Sequence, residues 1–403
     1  MDADIRNNTL TIESGKRMDG SNVRSLEEEW MGLLDQYPGF KVVLDLKKLE
    51  YISSAGIRLI MKLQKKSIGF SAVNVSEAVY EILDLTGLTS ALDIRRSRRF
   101  VSINGLKMIS QGGYGKIYRL TEDTILKVFY GFTSDELIEN GIRYARKAFS
   151  GGIPCAVPYE AVDTEEGIGV VYEYLHSVTL AEAIHASPEL LEDYSLKFAR
   201  LGRTLSQTHF PDHSLRSADE TFSHALDRFS GLLEDDDIAL YNRAVDLIPK
   251  CDTAVHGDFH TKNVLLGESG ELLLIDMDDF CCGHPIWDLI TTVSYCEDAP
   301  HPFRSFGDSL LLTGLTDEEK NSVWNYFIRE YFRELPPEEI QSRVNVIIMY
   351  SALHLIRIIL DRCPDKDRND PGTAYCVGMI HSLLAGFTES GLQEAEELFR
   401  VWK

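Results

Sequence analysis

Three oxygen-bearing side chains recur at short intervals in the middle of the chain. VHGDFHTKNVLL, which starts at Val255, places the Asp258 carboxylate five residues before the Asn263 amide, and LLIDMDDF adds the carboxylate of Asp276. Oxygen donors of this kind suit Mg²⁺, which binds one or two protein oxygens together with substrate phosphates. A carboxylate at Asp258 can orient an attacking hydroxyl group and accept its proton. The spacing predicts the active site of a kinase.

Two short apolar runs must position these side chains. Residues 264–266 follow the first group, residues 272–275 lead into the second, and a Gly-Glu-Ser-Gly turn at residues 267–270 separates them. This pattern predicts a hairpin whose strands carry both groups to one edge. The alternative is a polar hairpin that merely happens to contain His, Asp and Asn.

Residues typical of a nucleotide site occur upstream, in the expected order. Gly112, Gly113 and Gly115 lie in SQGGYGKIY, where backbone N–H groups can approach phosphate oxygens without an intervening Cβ atom. Lys127 lies in the predicted strand ILKVF, where an ammonium group can pair with the α- and β-phosphates. A glycine-rich hairpin alone is a weak signal, because most are only tight turns.

Two further contacts are predicted for the nucleotide. A carboxylate from the helical stretch 135–149 should hold Lys127 in place, and Glu139 is preferred to Glu136, although both could be exposed helix residues. In GIGVVYEYL, backbone groups around Glu173 and Leu175 could contact the adenine edge.

With these motifs, residues 104–403 resemble the aminoglycoside phosphotransferase and choline kinase branch of the protein-kinase-like fold. The resemblance rests on SQGGYGKIY, ILKVF, VHGDFHTKN, IDMDDF and the following Trp287-Asp288-Leu289 turn. It implies a bilobal α+β domain, with a small lobe at about residues 104–175 and a large helical lobe at about residues 176–403. His-Gly-Asp, in place of His-Arg-Asp, points to a small-molecule kinase.

The resemblance also implies roles for individual residues. Asp258 would be the catalytic base, and Asn263 and Asp276 would be the Mg²⁺ ligands. The reaction would be transfer of the γ-phosphoryl group of ATP to a hydroxyl group of a small molecule, with ATP and Mg²⁺ as cofactors. Asp288 and His256 would stabilise the catalytic loop. For several further residues two interpretations stay open. Each could contact the phosphates, the metal or an amine-bearing acceptor, or each could be a solvated surface residue. These residues are His260, Lys262, Asp278, Glu297, Asp298 and Asp361.

Charge is divided unevenly along the chain. Residues 1–103 hold 15 Lys and Arg against 14 Asp and Glu, whereas residues 104–403 hold 26 against 49. This asymmetry supports two domains with a boundary near residue 103, and acidity on this scale disfavours nucleic acid and anionic membranes as partners.

The apolar run at residues 344–360 is interrupted by polar residues and predicts a core helix. Seven cysteines without a C-x-x-C pair or a secretory leader favour the cytoplasm.

Residues 1–103 alternate strand-like and helix-like segments, which predicts an α/β layer. Between a strand and a helix, in YISSAG, Ser53 or Ser54 can cap the helix N-terminus. This segment, with FSAVNVSEAVYEILDLTGL, resembles the STAS domain of bacterial anti-sigma factor antagonists over roughly residues 4–95. The resemblance implies that Ser54 is phosphorylated to switch the binding of a regulatory protein partner. Ser53 stands where the family often has Asp. The basic run at residues 95–99 could be a solvated linker, an anchor for the acidic second unit or a protein contact, and the solvated linker is preferred.

Three functions compete. The first is a small-molecule kinase with an N-terminal regulatory module. The second is a partner-switching signalling protein whose kinase domain phosphorylates Ser54 or a protein partner, and the third is a nucleotide-binding scaffold without activity. The joint presence of Lys127, Asp258, Asn263 and Asp276 disfavours the third.

Overall fold

The computed structural model of the protein describes residues 3–6, 8–113, 115–211, 215–223, 225–296, 313–363 and 370–402. It divides into two compact units. The first comprises Met1–Ile103 and Ala161–Glu165, and the second comprises Asn104–Glu160 and Glu166–Lys403.

Strands dominate the first unit and the start of the second, and helices dominate the rest. The strands are β1 (Ala3–Arg6), β2 (Thr9–Glu13), β3 (Arg17–Met18), β4 (Lys41–Asp45), β5 (Tyr51–Ile52), β6 (Phe70–Val75), β7 (Asp93–Arg96), β8 (Arg99–Phe100), β9 (Lys107–Gln111), β10 (Gly115–Arg119), β11 (Thr124–Phe129), β12 (Pro158–Thr164), β13 (Gly167–Glu173), β14 (Ser177–Thr179), β15 (Ala254–Val255), β16 (Val264–Gly267), β17 (Leu272–Leu274) and β18 (Cys281–Cys282). The helices are α1 (Val23–Gln36), α2 (Ser54–Lys66), α3 (Glu77–Leu85), α4 (Leu88–Ala91), α5 (Asp135–Ser150), α6 (Leu180–Ala186), α7 (Leu191–Gln207), α8 (Ala218–Phe222), α9 (Asp235–Asp246), α10 (Ile286–Cys296), α11 (Asp317–Tyr331), α12 (Pro337–Arg362), α13 (Pro371–Leu384) and α14 (Glu389–Val401).

A mixed sheet in the order β1-β2-β4-β6-β7 forms the centre of the first unit. β1 is antiparallel to β2, and the other neighbouring strands are parallel. Alternate residues of β2 and β4 are buried, because one face of the sheet meets the helices. α2 buries Leu59, Ile60 and Leu63, which helical spacing places on one stripe. The predicted α/β layer is confirmed.

The start of α2 distinguishes the two serines of the SSAG segment. Ser53 is the N-cap residue, and its Oγ accepts a hydrogen bond from the Ala55 N–H at 3.2 Å. Ser54 is the first helical residue and its side chain is exposed. Gly56 packs so closely on β3 that a Cβ atom there would lie 2.6 Å from the Met18 carbonyl oxygen. The cap is therefore Ser53, and Ser54 is free to face solvent.

The basic run at residues 95–99 is folded within the first unit. Arg95 pairs with Asp93 at 2.8 Å, and Arg96 pairs with Glu77 at 2.9 Å. Arg99 begins β8, which pairs in parallel with residues 162 and 163. The expectation of a solvated linker is wrong, because carboxylates and strand pairing fix these residues.

The strands around Lys127 form an antiparallel array in the order β13-β11-β10-β9. Most of the later helices enclose one apolar core, whose largest fully buried side chains include Trp287, Tyr241, Tyr350 and Phe198. The sequence pattern of residues 225–248 predicts one helix, but the helix α9 begins only at Asp235. Gly231 has φ +82°, a left-handed conformation that no α-helix continues through.

The long apolar run lies in α12. By length and composition, α12 is the one helix among the described residues that could cross a membrane. However, 61% of its apolar window is buried inside the protein, and Tyr350, Leu353 and Ile356 are fully buried. α12 therefore packs as a core helix, as predicted.

Candidate active site

Two loops lie together at one edge of the second unit. Residues 256–263, here the HGD loop, connect β15 to β16, and residues 276–280, here the acidic loop, connect β17 to β18. β15 pairs with β18 and β16 pairs with β17, both antiparallel, so strand pairing brings the loops side by side. Asp276 begins the acidic loop at φ +61° and ψ 55°. A non-glycine residue in this region is strained, and such strain concentrates at functional sites.

Asp258 and Asn263 contact each other directly. Asn263 Nδ2 donates to the Asp258 carbonyl oxygen at 3.0 Å and to Asp258 Oδ2 at 2.9 Å. Both partners can only accept, which fixes the orientation of the amide and leaves Asn263 Oδ1 to face another ligand. The interval of five residues therefore orients an oxygen donor beside the carboxylate.

Histidines on both sides of Asp258 are held in defined tautomers. His256 Nδ1 accepts the Asp258 N–H at 3.2 Å, so its Nε2 carries the proton and donates to the Ile275 carbonyl oxygen at 2.9 Å. His260 Nδ1 accepts the Lys262 N–H at 3.2 Å, so its Nε2 donates to Asp258 Oδ2 at 3.3 Å. Thus His256 links the HGD loop to the strand before Asp276, while His260 holds the carboxylate.

The electrostatic surroundings of Asp258 favour its ionised form. Burial alone would raise its pKa, but the neighbouring His260, together with His354 and His256, outweighs burial and holds the pKa below its ordinary value. His260 is itself fixed by stacking on Tyr295, with ring centroids 3.9 Å apart. Asp258 is therefore an anion at neutral pH.

Asp288 supports the HGD loop from below. Its carboxylate accepts the backbone N–H groups of His256 and Gly257, each at 2.9 Å. Burial raises the pKa of Asp288 to about 6. Gly257 has φ +84°, and a Cβ atom there would lie 2.7 Å from the Asp279 carbonyl oxygen. The two loops are thus in backbone contact at Gly257.

Lys127 extends from β11 to the acidic loop. Its Nζ lies 2.6 Å from Asp276 Oδ1 and 3.0 Å from Asp278 Oδ2. Burial would lower the pKa of Lys127, but the charges of Asp276 and Asp278 outweigh it and raise that pKa above its ordinary value. The structure therefore joins the predicted phosphate-binding lysine to the predicted metal ligand.

The donors in this cluster fit a divalent cation. Two carboxylates, Asp276 and Asp278, pair with the one ammonium group of Lys127, and the charge of Asp258 also acts on Asp276. Burial raises the pKa of Asp278, whereas Lys127 more than offsets burial at Asp276 and lowers its pKa. Asp276 and Asn263 Oδ1 supply the hard oxygens that Mg²⁺ prefers. Asp278, for which sequence left two interpretations, is a second partner of Lys127.

The three glycines of the β9–β10 turn differ in their surroundings. A Cβ atom at Gly115 would lie 2.2 Å from the Val128 carbonyl oxygen, so close packing on β11 requires glycine there. Gly112 and Gly113 have no described atom within 4 Å of such a Cβ atom. Space beside these two glycines is therefore available to a phosphate, and their contact with nucleotide stays a prediction.

The helix expected to supply the partner of Lys127 is α5. Glu139 and Glu136 both have exposed side chains on it. α5 approaches the acidic loop at Gly141, where a Cβ atom would lie 2.6 Å from Asp278 Oδ1. The carboxylates that the structure places on Lys127 are Asp276 and Asp278, and the pairing with Glu139 stays a prediction.

The connector after β13 begins at Tyr174, whose N–H donates to the Asp123 carbonyl oxygen at 2.7 Å. The backbone groups of the preceding Glu173 therefore point away from β11 and towards β12, the other neighbour of β13 in the sheet. In the described part of the chain, the Leu175 N–H has no protein acceptor. Tyr172 lies on the same face of the sheet as Lys127. The Leu175 N–H is thus available to an adenine edge, and the contacts of Glu173 and Leu175 with nucleotide stay a prediction.

Sequence reasoning missed an ionic cluster behind the loops. Asp279 pairs with Arg216 through Oδ1 at 2.8 Å and with Arg357 of α12 through Oδ2. Arg357 was visible only as an interruption of an apolar run. A charged residue on a buried helix face implies a buried partner, and that rule was the available signal.

The acidic residues considered for the acceptor side are only partly covered. Glu297 and Asp298 lie outside the described residues. Asp361 is 54% exposed, with its Oδ2 3.9 Å from Arg357 Nε. Asp361 therefore has a cation close by and keeps an exposed face.

Comparison with known proteins gives two domain matches. Residues 106–315 match the family model of the phosphotransferase enzyme family, and residues 1–100 match that of the STAS domain. Comparison with curated protein sequences gave no match.

Solved structures with similar folds include several kinases. A choline/ethanolamine kinase family protein from Mesorhizobium loti is 16% identical, with a TM-score of 0.47 over 73% of this chain and 92% of the other. The gentamicin complex of APH(2")-IIa is 17% identical, with a TM-score of 0.45 over 81% and 99%. A thermostable mutant of aminoglycoside phosphotransferase APH(4)-Ia is 15% identical, with a TM-score of 0.45 over 70% and 95%.

The family match spans more than half of the chain and includes Lys127, the HGD loop and the acidic loop. The predicted combination of an α/β domain and a kinase-like α+β domain is confirmed. The chain belongs to the phosphotransferase enzyme family and carries an N-terminal STAS domain.

Proposed function

We propose that the protein transfers the γ-phosphoryl group of ATP to a hydroxyl group of a small molecule, with the STAS domain as its regulatory module. The observation that carries the proposal is the 2.6 Å contact between Lys127 Nζ and Asp276 Oδ1, which are 149 residues apart in sequence. This contact sets an ammonium group on the acidic loop, which lies beside the HGD loop that holds Asp258 and Asn263. Phosphoryl transfer depends mainly on such positioned charges.

ATP would bind between the strand array and the two loops. Lys127 would pair with the α- and β-phosphates, and the open space at Gly112 and Gly113 would receive phosphate oxygens. The backbone groups of Glu173 and Leu175 would contact the adenine edge. Each of these contacts is directional, so together they set the position of the γ-phosphoryl group relative to Asp258.

Magnesium, when bound, neutralises charge on the transferred phosphoryl group. Asp276 and Asn263 would hold it, because they present a carboxylate and a fixed amide oxygen from adjacent loops. Asp278 would remain with Lys127, since its Oδ2 lies 3.0 Å from the ammonium group.

Asp258 would orient the acceptor hydroxyl group. Its Oδ2 is occupied by Asn263 and His260, so Oδ1 is the oxygen that would accept from the hydroxyl group. Because the pKa of Asp258 lies below its ordinary value, the carboxylate is a weak proton acceptor before reaction. Its main contribution is therefore orientation, with proton transfer following as the new bond forms.

The proposed acceptor class is an amine-bearing alcohol or sugar. The second domain has an excess of acidic residues, and Asp361 keeps an exposed carboxylate near the HGD loop side of α12. A cationic acceptor would gain from this charge distribution.

The Asp258→Asn variant tests the catalytic assignment. Nucleotide affinity should stay close to the wild-type value, while turnover should fall by about 10²–10⁴-fold, the usual contribution of a positioned acid–base group. ATP consumption in the presence of Mg²⁺ and a panel of hydroxyl compounds gives the turnover, and calorimetry gives the affinity. Activity retained by this variant would remove Asp258 from its role.

A second candidate is a signalling function, which the exposure of Ser54 favours. In this function the kinase domain phosphorylates Ser54 or a protein partner that binds through the STAS domain. Incubation with labelled ATP and Mg²⁺ separates the candidates. Label on the wild-type chain that is absent from Ser54→Ala supports signalling, whereas acceptor-stimulated ATP consumption without protein label supports the small-molecule kinase.

All seven cysteines are free thiols, in agreement with a proposed cytoplasmic location.

A further inference from the structure

Arg357 of α12 reaches both loops of the active site. Its Nη1 donates to the Gly257 carbonyl oxygen in the HGD loop at 3.3 Å. Its Nη2 donates to Asp279 Oδ2 in the acidic loop. Gly257 immediately precedes Asp258, and Asp279 follows Asp276 by three residues. One planar guanidinium group therefore joins the two loops next to their functional side chains.

Asp279 is held from both sides. Arg216 Nη2 donates to Asp279 Oδ1 at 2.8 Å and to the Asp278 carbonyl oxygen at 3.3 Å. A small cavity lined by Arg216, Gly257, Asp279 and Arg357 lies behind the loops. A bidentate carboxylate between two guanidinium groups is geometrically restrictive, because each planar fork fixes the direction of its hydrogen bonds.

The two arginines differ in what they contact. Of the two loops, Arg216 donates hydrogen bonds to the acidic loop, whereas Arg357 donates to both. Further links join the HGD loop to the acidic loop or to Ile275 just before it. They include the bond from His256 Nε2 to the Ile275 carbonyl oxygen, the bond from Ile275 N–H to the Asn263 carbonyl oxygen at 3.0 Å, and the backbone approach of Gly257 to Asp279. Of the side chains described here, Arg357 is the one whose charge spans from a carbonyl oxygen beside Asp258 to a carboxylate of the acidic loop.

We propose that Arg357 is a positioning residue, which sets the distance between Asp258 and Asp276 by holding the Gly257 carbonyl oxygen and Asp279 together. The inference rests on the proposed phosphotransferase function. In phosphoryl transfer, Asp258 must meet the acceptor oxygen while Asp276 holds the metal on the phosphates. An error of about 1 Å in such geometry lowers the rate about 10²-fold.

The Arg357→Gln variant tests this role, because Asp279 then keeps its bond to Arg216 and is not left unpaired. The value of kcat should fall about 10- to 100-fold, as for other residues that orient metal or catalytic ligands. The KM for ATP should stay within about threefold of the wild-type value, because Lys127 and the connector remain in place. Amide hydrogen exchange should accelerate in residues 256–263 and 275–280. Arg357→Lys should give an intermediate kcat, because one ammonium group keeps the charge but cannot hold both partners in the fork geometry.

Arg343 provides a matched control on the same helix. It is a buried arginine that pairs with Glu339 at 3.4 Å and lies over Phe332 and Trp402, away from both loops. Arg343→Gln should lower the melting temperature but leave kcat within about twofold and leave loop exchange unchanged. This difference separates a loss of positioning from a general loss of stability.

Each outcome decides the proposal. A kcat for Arg357→Gln within twofold of wild type, or an equal loss in Arg343→Gln, overturns it. If Arg357→Gln does not fold, Arg357→Lys decides, since unchanged kcat and unchanged exchange in that variant overturn the role. If the wild-type protein transfers no phosphoryl group to any acceptor, the proposed function fails. In that case faster exchange confined to the two loops of Arg357→Gln still supports the positioning of the loops, and unchanged exchange overturns it.

Discussion

Replacing Gly257 with alanine changes the contact between the two loops by one methyl group. Gly257 has φ +84°, and the added Cβ atom would lie 2.7 Å from the Asp279 carbonyl oxygen and 2.9 Å from Asp279 Cβ. Ordinary van der Waals contact begins at 3.4 Å, so the acidic loop must move by about 0.7 Å if the HGD loop stays fixed. Neither contact is the flexible end of a side chain, so no rotamer change relieves it.

Two effects follow, and they can be separated. The left-handed backbone destabilises alanine by about 1–2 kcal/mol, which lowers the free energy of unfolding. The displacement of the acidic loop shifts Asp276 relative to Asp258, and should lower kcat about 100-fold, as expected for misplacement of reacting groups on this scale. The same shift should weaken the dependence of nucleotide affinity on Mg²⁺.

Gly270 offers a control with the same backbone conformation. It also has φ +84°, but it lies in the β16–β17 turn, where the nearest atom to an added Cβ is the flexible Lys197 Nζ at 3.6 Å. Gly270→Ala should lose a similar 1–2 kcal/mol of unfolding free energy and keep kcat within about twofold. Urea denaturation and initial rates of ATP consumption measure the two quantities. Equal kcat values for Gly257→Ala and Gly270→Ala would refute the link between loop spacing and catalysis.

Three further predictions follow. Asp276→Asn, chosen because asparagine tolerates the left-handed backbone, should weaken Mg²⁺-dependent ATP binding at least tenfold by calorimetry, and unchanged metal dependence would contradict its assignment. Ser53→Ala should destabilise the first unit by about 1 kcal/mol through loss of the helix cap, whereas Ser54→Ala should change the free energy of unfolding by less than about 0.5 kcal/mol. Thermal unfolding of both variants gives the comparison. Equal losses would contradict the assignment of the cap to Ser53. Burial lowers the pKa of His284 from 6.5 to about 4, so the stability that it contributes is present above pH 6.5 and is lost as pH falls towards 4. A Trp30→Phe background leaves tryptophans only in the second unit, so fluorescence reports the unfolding of that unit. In this background, the protein with His284 should lose about 2 kcal/mol more unfolding free energy between pH 7 and pH 5 than the His284→Gln variant loses, and equal losses in urea unfolding would contradict the prediction.

Sequence could predict that Asp258, Asn263 and Asp276 lie in neighbouring loops because their intervals are short. Asp258 and Asn263 are five residues apart, and the hairpin that follows leads directly to Asp276. Local spacing of this kind survives folding, because strand pairing between β16 and β17 fixes it. The contact between Lys127 and Asp276 could not be predicted from local spacing. It could be predicted only from the resemblance to a known fold.

The side-chain partners of Lys127 and Arg357 could not be read from sequence. Glu139 of α5 was preferred for Lys127 and stays a prediction, whereas the partners that the structure shows, Asp276 and Asp278, lie 149 and 151 residues away in sequence. The rotation of α5 about its axis depends on how its apolar face packs. Sequence alone therefore does not decide which of its carboxylates faces Lys127. Arg357 contacts Gly257 across 100 residues, and no local pattern encodes a contact of that range.

The start of α9 and the conformation of the basic run were also hard to predict. Residues 225–234 carry helix-forming residues on both sides of Gly231, whose left-handed conformation ends any helix there. The basic run at residues 95–99 is polar enough for a linker, but carboxylates from α3 and β7 pair with Arg96 and Arg95. For the basic run, the partners that decide its structure lie outside the segment.

The contact of Lys127 with Asp276 has a consequence for the order of events in solution. The same carboxylate that would hold magnesium already neutralises the lysine. Metal and nucleotide would therefore enter by an exchange, in which the ammonium group turns to a phosphate as the cation takes its place on Asp276. Free magnesium alone would have to compete with a built-in positive charge, and free ATP would meet a lysine whose charge is already compensated. The resting protein would thus bind free magnesium or free ATP weakly, and would bind the magnesium complex of ATP more tightly than either component alone.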